Sequence, residues 1–195
     1  SYRYAFINGY DSYTEQDVGY IFRADLVRFS RQEQTREMYN SKTYYNLSKH
    51  LFARFQWGKG ENTESLTLVN VHLRAGEKAQ SLRERQCRLI RHWVDPLLAR
   101  GENVVVLGDL NARVGRRAVP DPNFEVQPSN TIGPWSLKGN IVPNENGSLL
   151  LGIASDNHLR HISSNFSCRD SKRWTWRHPR YHTRACLLYQ TDHAD

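Results

Sequence analysis

A run of apolar, mostly β-branched residues leads directly into a Gly-Asp-Leu-Asn-Ala segment near the middle of the chain. Val104 to Leu107 form this run, whose composition predicts a strand buried on both faces. Gly108 ends the run, and Asp109 and Asn111 follow at alternate positions, which project to the same side of an extended backbone. A carboxylate that accepts hydrogen bonds and an amide that can donate to an anionic oxygen are therefore delivered together. The residues alone also allow a strand that runs into an ordinary Asx turn.

The neighbouring patterns predict a hairpin and a helix. His50 to Trp57 and Leu66 to Leu73 have strand character, and the polar, glycine-containing segment between them predicts an antiparallel pair. An apolar stripe at spacings of three and four predicts a helix over residues 77–99. Pro96 is expected to kink or break this helix near Val94, because proline lacks the N–H that an interior helical position uses.

The rest of the chain has a coarser pattern. Strands are expected over residues 18–23 and 24–30, a surface loop over 31–49, a long loop over 113–143, a helix over 146–157 and a strand over 163–167. The helix over 77–99 is expected to bury Cys87, to end at Gly101 and to expose four arginines: Arg83, Arg85, Arg88 and Arg91. These elements fit a two-sheet sandwich with helices outside.

Composition narrows the class of protein. The chain has 195 residues, of which 38% are hydrophobic and 24% charged, so we expect a single globular domain over residues 1–195. No apolar run approaches the roughly 20 residues of a membrane span. The three cysteines have no paired spacing, which argues against a disulfide scaffold and a zinc knuckle.

The charge balance favours a polyanionic partner. Lys and Arg number 27 against 20 Asp and Glu, a net charge of +7, and such a surface binds phosphates with release of counterions. Residues 172–184 interleave arginines with aromatic residues, a combination that can contact a phosphate backbone and stack on bases. Alternatively, Trp174 and Trp176 lie on one face of a strand and belong to the core. The candidate nucleic-acid contacts are Arg74, Arg173, Arg177, Arg180 and Trp176.

The motifs carry a family resemblance. Residues 103–112 resemble the Gly-Asp-(Leu/Phe)-Asn-Ala signature of the endonuclease/exonuclease/phosphatase superfamily, which is DNase I-like. Residues 65–75, with Asn70 and His72, are similar to its Val-Asn-Thr-His-Leu strand. Residues 16–23 resemble the strand that follows its first catalytic motifs. The back half, which includes residues 144–151, 174–180 and 190–193, looks closest to retroelement-type endonucleases.

The resemblance implies a fold. An α+β fold is expected, a four-layer α/β-β/α sandwich of two packed, largely antiparallel β-sheets flanked by helices. The superfamily normally opens with an Asn-bearing strand and a Gln-Glu motif, and it closes with a Ser-Asp-His motif. Neither opening element precedes Ser1, and the chain stops at Asp195. We therefore expect a partial domain, incomplete at both ends of the active site.

The resemblance also implies site chemistry. Asp109 would position or deprotonate the attacking water, Asn111 would orient that water or a phosphate oxygen, and His72 would donate to the phosphate. Asp192 and His193 allow two alignments: Asp192 as the residue that holds a catalytic His, or both as the closing Asp-His pair with His193 as the acid/base. Mg²⁺ or Mn²⁺ is implied, with Asp109 and Asn111 among its ligands.

These expectations lead to one function and two alternatives. The first is a metal-dependent phosphodiester hydrolase, an endonuclease of retroelement or repair type that acts on DNA rather than RNA. We expect a monomer, intracellular rather than secreted and not in a membrane, with little or no activity in this chain because the usual Glu ligand is not visible. The alternatives are a phosphatase or sphingomyelinase-like phosphodiesterase of the same fold, and a non-catalytic, degraded copy that binds nucleic acid weakly.

Overall fold

The computed structural model describes residues 1–6, 17–33, 50–112, 131–132, 143, 145–162, 176–177 and 184–185. The chain divides into two compact units, the first made of residues 1–74 and 81–110 and the second of residues 75–80 and 111–195. A single domain over residues 1–195 stays a prediction. Within the described ranges, no helix is long and apolar enough to cross a membrane.

The first unit contains two β-sheets. Strands β1 (Tyr2–Phe6) and β2 (Gly19–Arg23) form an antiparallel pair. The second sheet has the order β3-β4-β5-β6, with these bounds: β3 Arg28–Glu33, β4 His50–Trp57, β5 Glu64–His72 and β6 Val104–Asp109. Its first two pairings are antiparallel, and β6 pairs with β5 in parallel.

Alternating residues of β4 build the core between the two sheets. Leu51, Ala53 and Phe55 are buried and cluster with Tyr20 of β2. The Tyr20 and Phe55 rings meet edge to face with centroids 5.6 Å apart, a preferred aromatic geometry. The expected α+β class, with two packed and largely antiparallel sheets, is confirmed.

The Tyr20 hydroxyl ties the two sheets together by hydrogen bonds to the backbone. It contacts the carbonyl oxygens of Leu51 at 2.7 Å and Leu68 at 3.0 Å, and it accepts the N–H of Asn70 at 3.0 Å. Burial raises the pKa of this phenol above its ordinary value, although the Asn70 hydrogen bond opposes the shift. The hydroxyl is therefore a neutral group that joins β2 to β4 and β5.

Helix α1 (Gln80–Ala99) covers the other face of the second sheet and follows a 3₁₀ turn at Glu77–Ala79. Trp93 packs on Phe52 of β4 with ring centroids 5.0 Å apart. Cys87 is buried as expected, and burial raises the pKa of its thiol to about 12.

Three expectations for this unit are wrong in whole or in part. Pro96 does not break the helix, which continues to Ala99, because near a helix end a missing N–H removes only one of the last hydrogen bonds. The alternative, a kink near Val94, stays a prediction. Arg83 is buried rather than exposed. Val104 to Leu107 are half-buried, not buried on both faces, because β6 has a single neighbouring strand among the described residues.

Other boundaries differ less. Gly101 ends the helix as expected: its φ is +72°, and the N–H of Glu102 donates to the carbonyl of Leu97 at 3.1 Å. The hairpin of β4 and β5 is confirmed. Residues 31–33 belong to β3 instead of the predicted loop, and the remainder of that loop lies outside the described residues.

The second unit contains helix α2 (Glu145–Asp156), which confirms the helix expected over residues 146–157. Ile132 forms a parallel bridge with His161. Short strands β7 (Trp176–Arg177) and β8 (Arg184–Ala185) pair antiparallel. Trp174, the strand expected over 163–167 and most of the loop expected over 113–143 lie outside the described residues.

We expect Tyr20→Phe to lower the free energy of unfolding by about 1–3 kcal/mol, because backbone groups of two strands lose a buried partner. Urea denaturation measures the change. Tyr4→Phe is the matched control, since Tyr4 is 75% exposed and a surface change of this kind costs about 0.5 kcal/mol or less. Equal stability of the two variants would show that the hydroxyl does not tie the sheets together.

Candidate active site

The parallel pairing of β5 and β6 brings a histidine and a carboxylate together at the strand ends. His72 is in register with Asp109, and the N–H of Leu73 donates to the carbonyl of Asp109 at 2.8 Å. His72 Nε2 lies 3.9 Å from Asp109 Oδ2, and each side chain is 26% exposed. The two predicted catalytic residues of the first unit therefore form one partly open site.

Gly108 permits this pairing because it has no side chain. Its φ is +116°, a region that favours glycine. A Cβ atom at this position would stand 2.0 Å from the carbonyl oxygen of Val71 and 2.8 Å from Asn70 Oδ1. The glycine that precedes Asp109 is thus required by the close approach of β5.

Asn70 holds the same strand to the opposite sheet. Its backbone N–H donates to the Tyr20 hydroxyl, and its Nδ2 donates to the carbonyl of Gly19 at 3.0 Å. Asn70 shares a face of β5 with His72, because alternate residues of a strand project to one side. Sequence reasoning placed Asn70 in a motif but assigned it no role; the signal was an amide between the apolar residues Val69 and Val71.

Two polar side chains of α1 hold the segment that follows His72. Gln86 Oε1 accepts the N–H of Arg74 at 2.9 Å, and Arg83 Nη1 donates to its carbonyl at 3.3 Å. The Arg74 side chain is exposed, as a phosphate contact requires. Arg83 and Gln86 lie at helical spacing from Ile90, within the buried stripe, and this spacing was the signal that sequence reasoning missed.

Asn111 belongs to the second unit. It is 2% exposed, and its φ of +43° is a conformation that asparagine tolerates better than most residues. Its carbonyl accepts a hydrogen bond from Nδ2 of the fully buried Asn146 at 2.9 Å. Asn146, at the start of α2, therefore fixes the backbone of a predicted site residue, and no motif indicated this contact.

The remaining predicted site residues stay untested. Asp192, His193, Arg173 and Arg180 lie outside the described residues, and Trp176 and Arg177 are described only as the backbone of β7. Their roles remain predictions from the sequence.

A divalent cation is implied by the resemblance, and the described residues do not make up a site for it. Across these ranges, no group of three or more His, Cys, Asp or Glu side chains could hold a metal ion. Asp109 offers the hard carboxylate oxygen that Mg²⁺ and Mn²⁺ prefer. The metal remains a prediction.

Comparisons with known proteins give only distant likenesses. No family model matches the sequence, and no curated protein matches it. Among solved structures, the human Nocturnin catalytic domain is 13% identical with a TM-score of 0.43, over 57% of this chain and 43% of that chain. Truncated Caenorhabditis elegans TDP2 is 17% identical with a TM-score of 0.39, over 66% of this chain and 45% of that chain. The chain thus covers less than half of either structure.

We expect Gly108→Ala to be more destabilising than Gly101→Ala. Both glycines have positive φ, but a Cβ at Gly101 meets no atom within 4 Å, whereas one at Gly108 meets the Val71 carbonyl. Gly101→Ala should cost about 1–2 kcal/mol for its backbone conformation, and Gly108→Ala about 1–3 kcal/mol more for the clash. Denaturation curves of both variants provide the measurement. Equal losses would contradict the proposed close approach.

Proposed function

We propose that the chain is a metal-dependent phosphodiester hydrolase that acts on nucleic acid, with His72 and Asp109 at the reacting phosphate. The observation that supports it most directly is the 3.9 Å separation of His72 Nε2 and Asp109 Oδ2. This distance is too long for a direct hydrogen bond. Each side chain is therefore left to contact an oxygen of the reacting groups within hydrogen-bonding range of about 2.8 Å: the attacking water at Asp109 and a phosphate oxygen at His72.

The two side chains have complementary roles in the proposed reaction. Asp109 aligns the attacking water and accepts its proton as the water oxygen bonds to phosphorus and the ester oxygen leaves. His72 donates a hydrogen bond to a phosphate oxygen, where negative charge grows in the transition state. Asn111 is proposed, from the resemblance alone, to orient the water or a phosphate oxygen. The metal is proposed on the same basis.

The proposed substrate is nucleic acid because of charge. The chain carries a net charge of +7, which favours a polyanion through phosphate contacts. Arg74 follows His72 by two residues and is exposed, so it can bind a phosphate that flanks the reacting one. We further propose that the nucleic acid is DNA and that the role is that of a retroelement or repair endonuclease. Only the resemblance of residues 144–193 to retroelement-type endonucleases supports this.

The same charge favours a second candidate, non-catalytic binding of nucleic acid. Contacts between arginines and phosphates need neither Asp109 nor a metal ion. Uniform binding of substrate does not lower the chemical barrier. A chain that keeps these contacts without a complete site would therefore bind nucleic acid without cleaving it.

Catalysis is tested by Asp109→Asn in single-turnover assays with enzyme in large excess, where slow nicking of supercoiled plasmid is measurable. We expect the magnesium-dependent rate to fall about 100-fold or more, because the amide keeps the shape of the side chain but cannot accept the proton. Glu61→Gln is the control, since Glu61 is exposed in the turn before β5.

Unchanged nicking by Asp109→Asn, or equal nicking in EDTA, would contradict the catalytic assignment. Hydrolysis of inositol phosphates or sphingomyelin, without cleavage of DNA or RNA, would contradict the proposed substrate class. Absence of all cleavage together with retained DNA binding would favour the second candidate.

Arg74 is tested by the salt dependence of DNA binding. We expect Arg74→Gln to reduce the slope of log K against log salt concentration by about 1, the loss of one phosphate contact. Arg88→Gln is the control, because Arg88 is 65% exposed on α1, where it lies 3.7 Å from Glu84. Fluorescence anisotropy at several salt concentrations gives both slopes, and an equal change in the two variants would remove Arg74 from the binding surface.

A further inference from the structure

A cavity of about 500 Å³ lies between the C-terminal half of α1 and the face of β4 and β5 that this helix covers. Phe52, Arg54 and Thr67 contribute to it from the strands. On β4, Phe52 and Arg54 alternate with Leu51, Ala53 and Phe55, which pack toward β2. His72 projects to the opposite face from Thr67 and lies about 17 Å further along β5. The cavity is therefore separate from the candidate active site.

One wall of the cavity is apolar and largely aromatic. Phe52 and Trp93 pack with ring centroids 5.0 Å apart at an interplanar angle of 44°. Pro96 and Leu97 extend this wall along the helix. Flat apolar groups bind well against such surfaces, and a volume of this size is within the range of small-molecule sites.

The carboxylate among the described lining residues is already bound by the protein. Glu102 accepts hydrogen bonds from Thr67 Oγ1 at 3.0 Å and from Arg100 Nε and Nη2 at 3.2 and 3.1 Å. Burial acts to raise the pKa of Glu102, but these hydrogen bonds and the charge of Arg54 lower it below its ordinary value. Glu102 is therefore ionised at neutral pH and matched mainly by Arg100.

Arg54 has hydrogen-bonding capacity that the described residues do not use. Its Nη2 donates to Ser65 Oγ at 3.1 Å, and its Nη1 lies 4.0 Å from Glu102 Oε2, beyond hydrogen-bonding distance. Its Nε and the indole Nε1 of Trp93 are buried donors without a hydrogen-bond partner among the described residues, and neither atom has surface open to the cavity. A guanidinium presents several donors in a planar fork that matches an oxyanion. The cavity thus combines an apolar wall with a partly exposed guanidinium and one surplus positive charge.

We propose that this cavity binds a small organic oxyanion, a carboxylate or phosphate ester carried on an aromatic ring, with the ring against Phe52 and Trp93 and the oxyanion on Arg54. The Nη1 group of Arg54 is a donor that makes no hydrogen bond to the described residues, so an acceptor is the complementary chemistry. A charged oxygen gains more from a guanidinium than a neutral one does. The proposal uses no residue of the candidate active site and does not depend on the proposed function.

Isothermal titration calorimetry of the whole chain tests the proposal with phenyl phosphate and benzoate as probes. Inorganic phosphate and benzyl alcohol are the matched partial ligands, since each lacks one half of the chemistry. We expect 1:1 binding of at least one ring-bearing oxyanion, and both partial ligands should bind about 10-fold or more weakly. The tighter of the two probes identifies the preferred oxyanion.

Variants locate the binding site. Arg54→Met keeps an apolar stem and should weaken binding about 10-fold or more. Arg85→Met is the control: Arg85 is exposed on α1, and its replacement should leave binding unchanged. Trp93→Phe keeps an aromatic wall, so this variant should retain binding. It should lose the part of the ligand-induced change in tryptophan fluorescence that comes from Trp93. Urea curves establish that each variant is folded.

Several results would overturn the proposal. They are absence of binding by both ring-bearing probes, inorganic phosphate binding as tightly as phenyl phosphate, and binding that survives Arg54→Met in a folded protein. An equal loss in Arg54→Met and Arg85→Met would also overturn it, because general surface charge would then account for the binding.

Discussion

The arrangement of the candidate site depends on one close approach, that of the Gly108 α-carbon to the carbonyl of Val71. Any side chain at position 108 would overlap this carbonyl, since a Cβ would stand 2.0 Å from its oxygen. Removal of the side chain lets β6 pair with β5 up to its last residue, where Asp109 reaches the register of His72. The backbone constraint and the placement of the two chemical groups are therefore the same feature of the molecule.

Parallel pairing imposes a second requirement, because two parallel strands cannot be joined by a tight turn and need a crossover connection. Helix α1 provides this crossover, and its two ends contribute to different surfaces. Near its start, Arg83 and Gln86 bind the backbone of Arg74 beside the candidate site. Near its end, Trp93 and the residues after it line the cavity that contains Arg54. A single connecting helix thus shapes two separate surfaces of one unit.

Patterns in the sequence report on neighbours along the chain, and this explains which predictions are confirmed and which are wrong. Alternation predicted β4 with its observed bounds, because strand periodicity is a local property. The same local pattern predicted that Arg83 is exposed, because arginine is charged. The sequence does not reveal that the backbone carbonyl of Arg74 accepts a hydrogen bond from it in the interior. The apolar run of Val104 to Leu107 predicted burial on both faces. Such a run does not indicate how many strands lie beside it in the sheet. Local reasoning also allowed Pro96 to break the helix, although the cost of proline is smaller near a helix end.

The sequence by itself indicated β2, β4, β5, β6 and both helices. It also showed that Asp109 follows a hydrophobic strand and that a histidine lies at the end of another strand. These are properties of neighbours along the chain, where periodicity and glycine positions act. Only the tertiary structure decided that β5 and β6 pair in parallel and in a register that places His72 opposite Asp109. It alone showed that Tyr20 and Asn70 join the sheets and that Arg54 faces a cavity. Such contacts depend on the distance between segments far apart in sequence, which the packing of the whole unit sets.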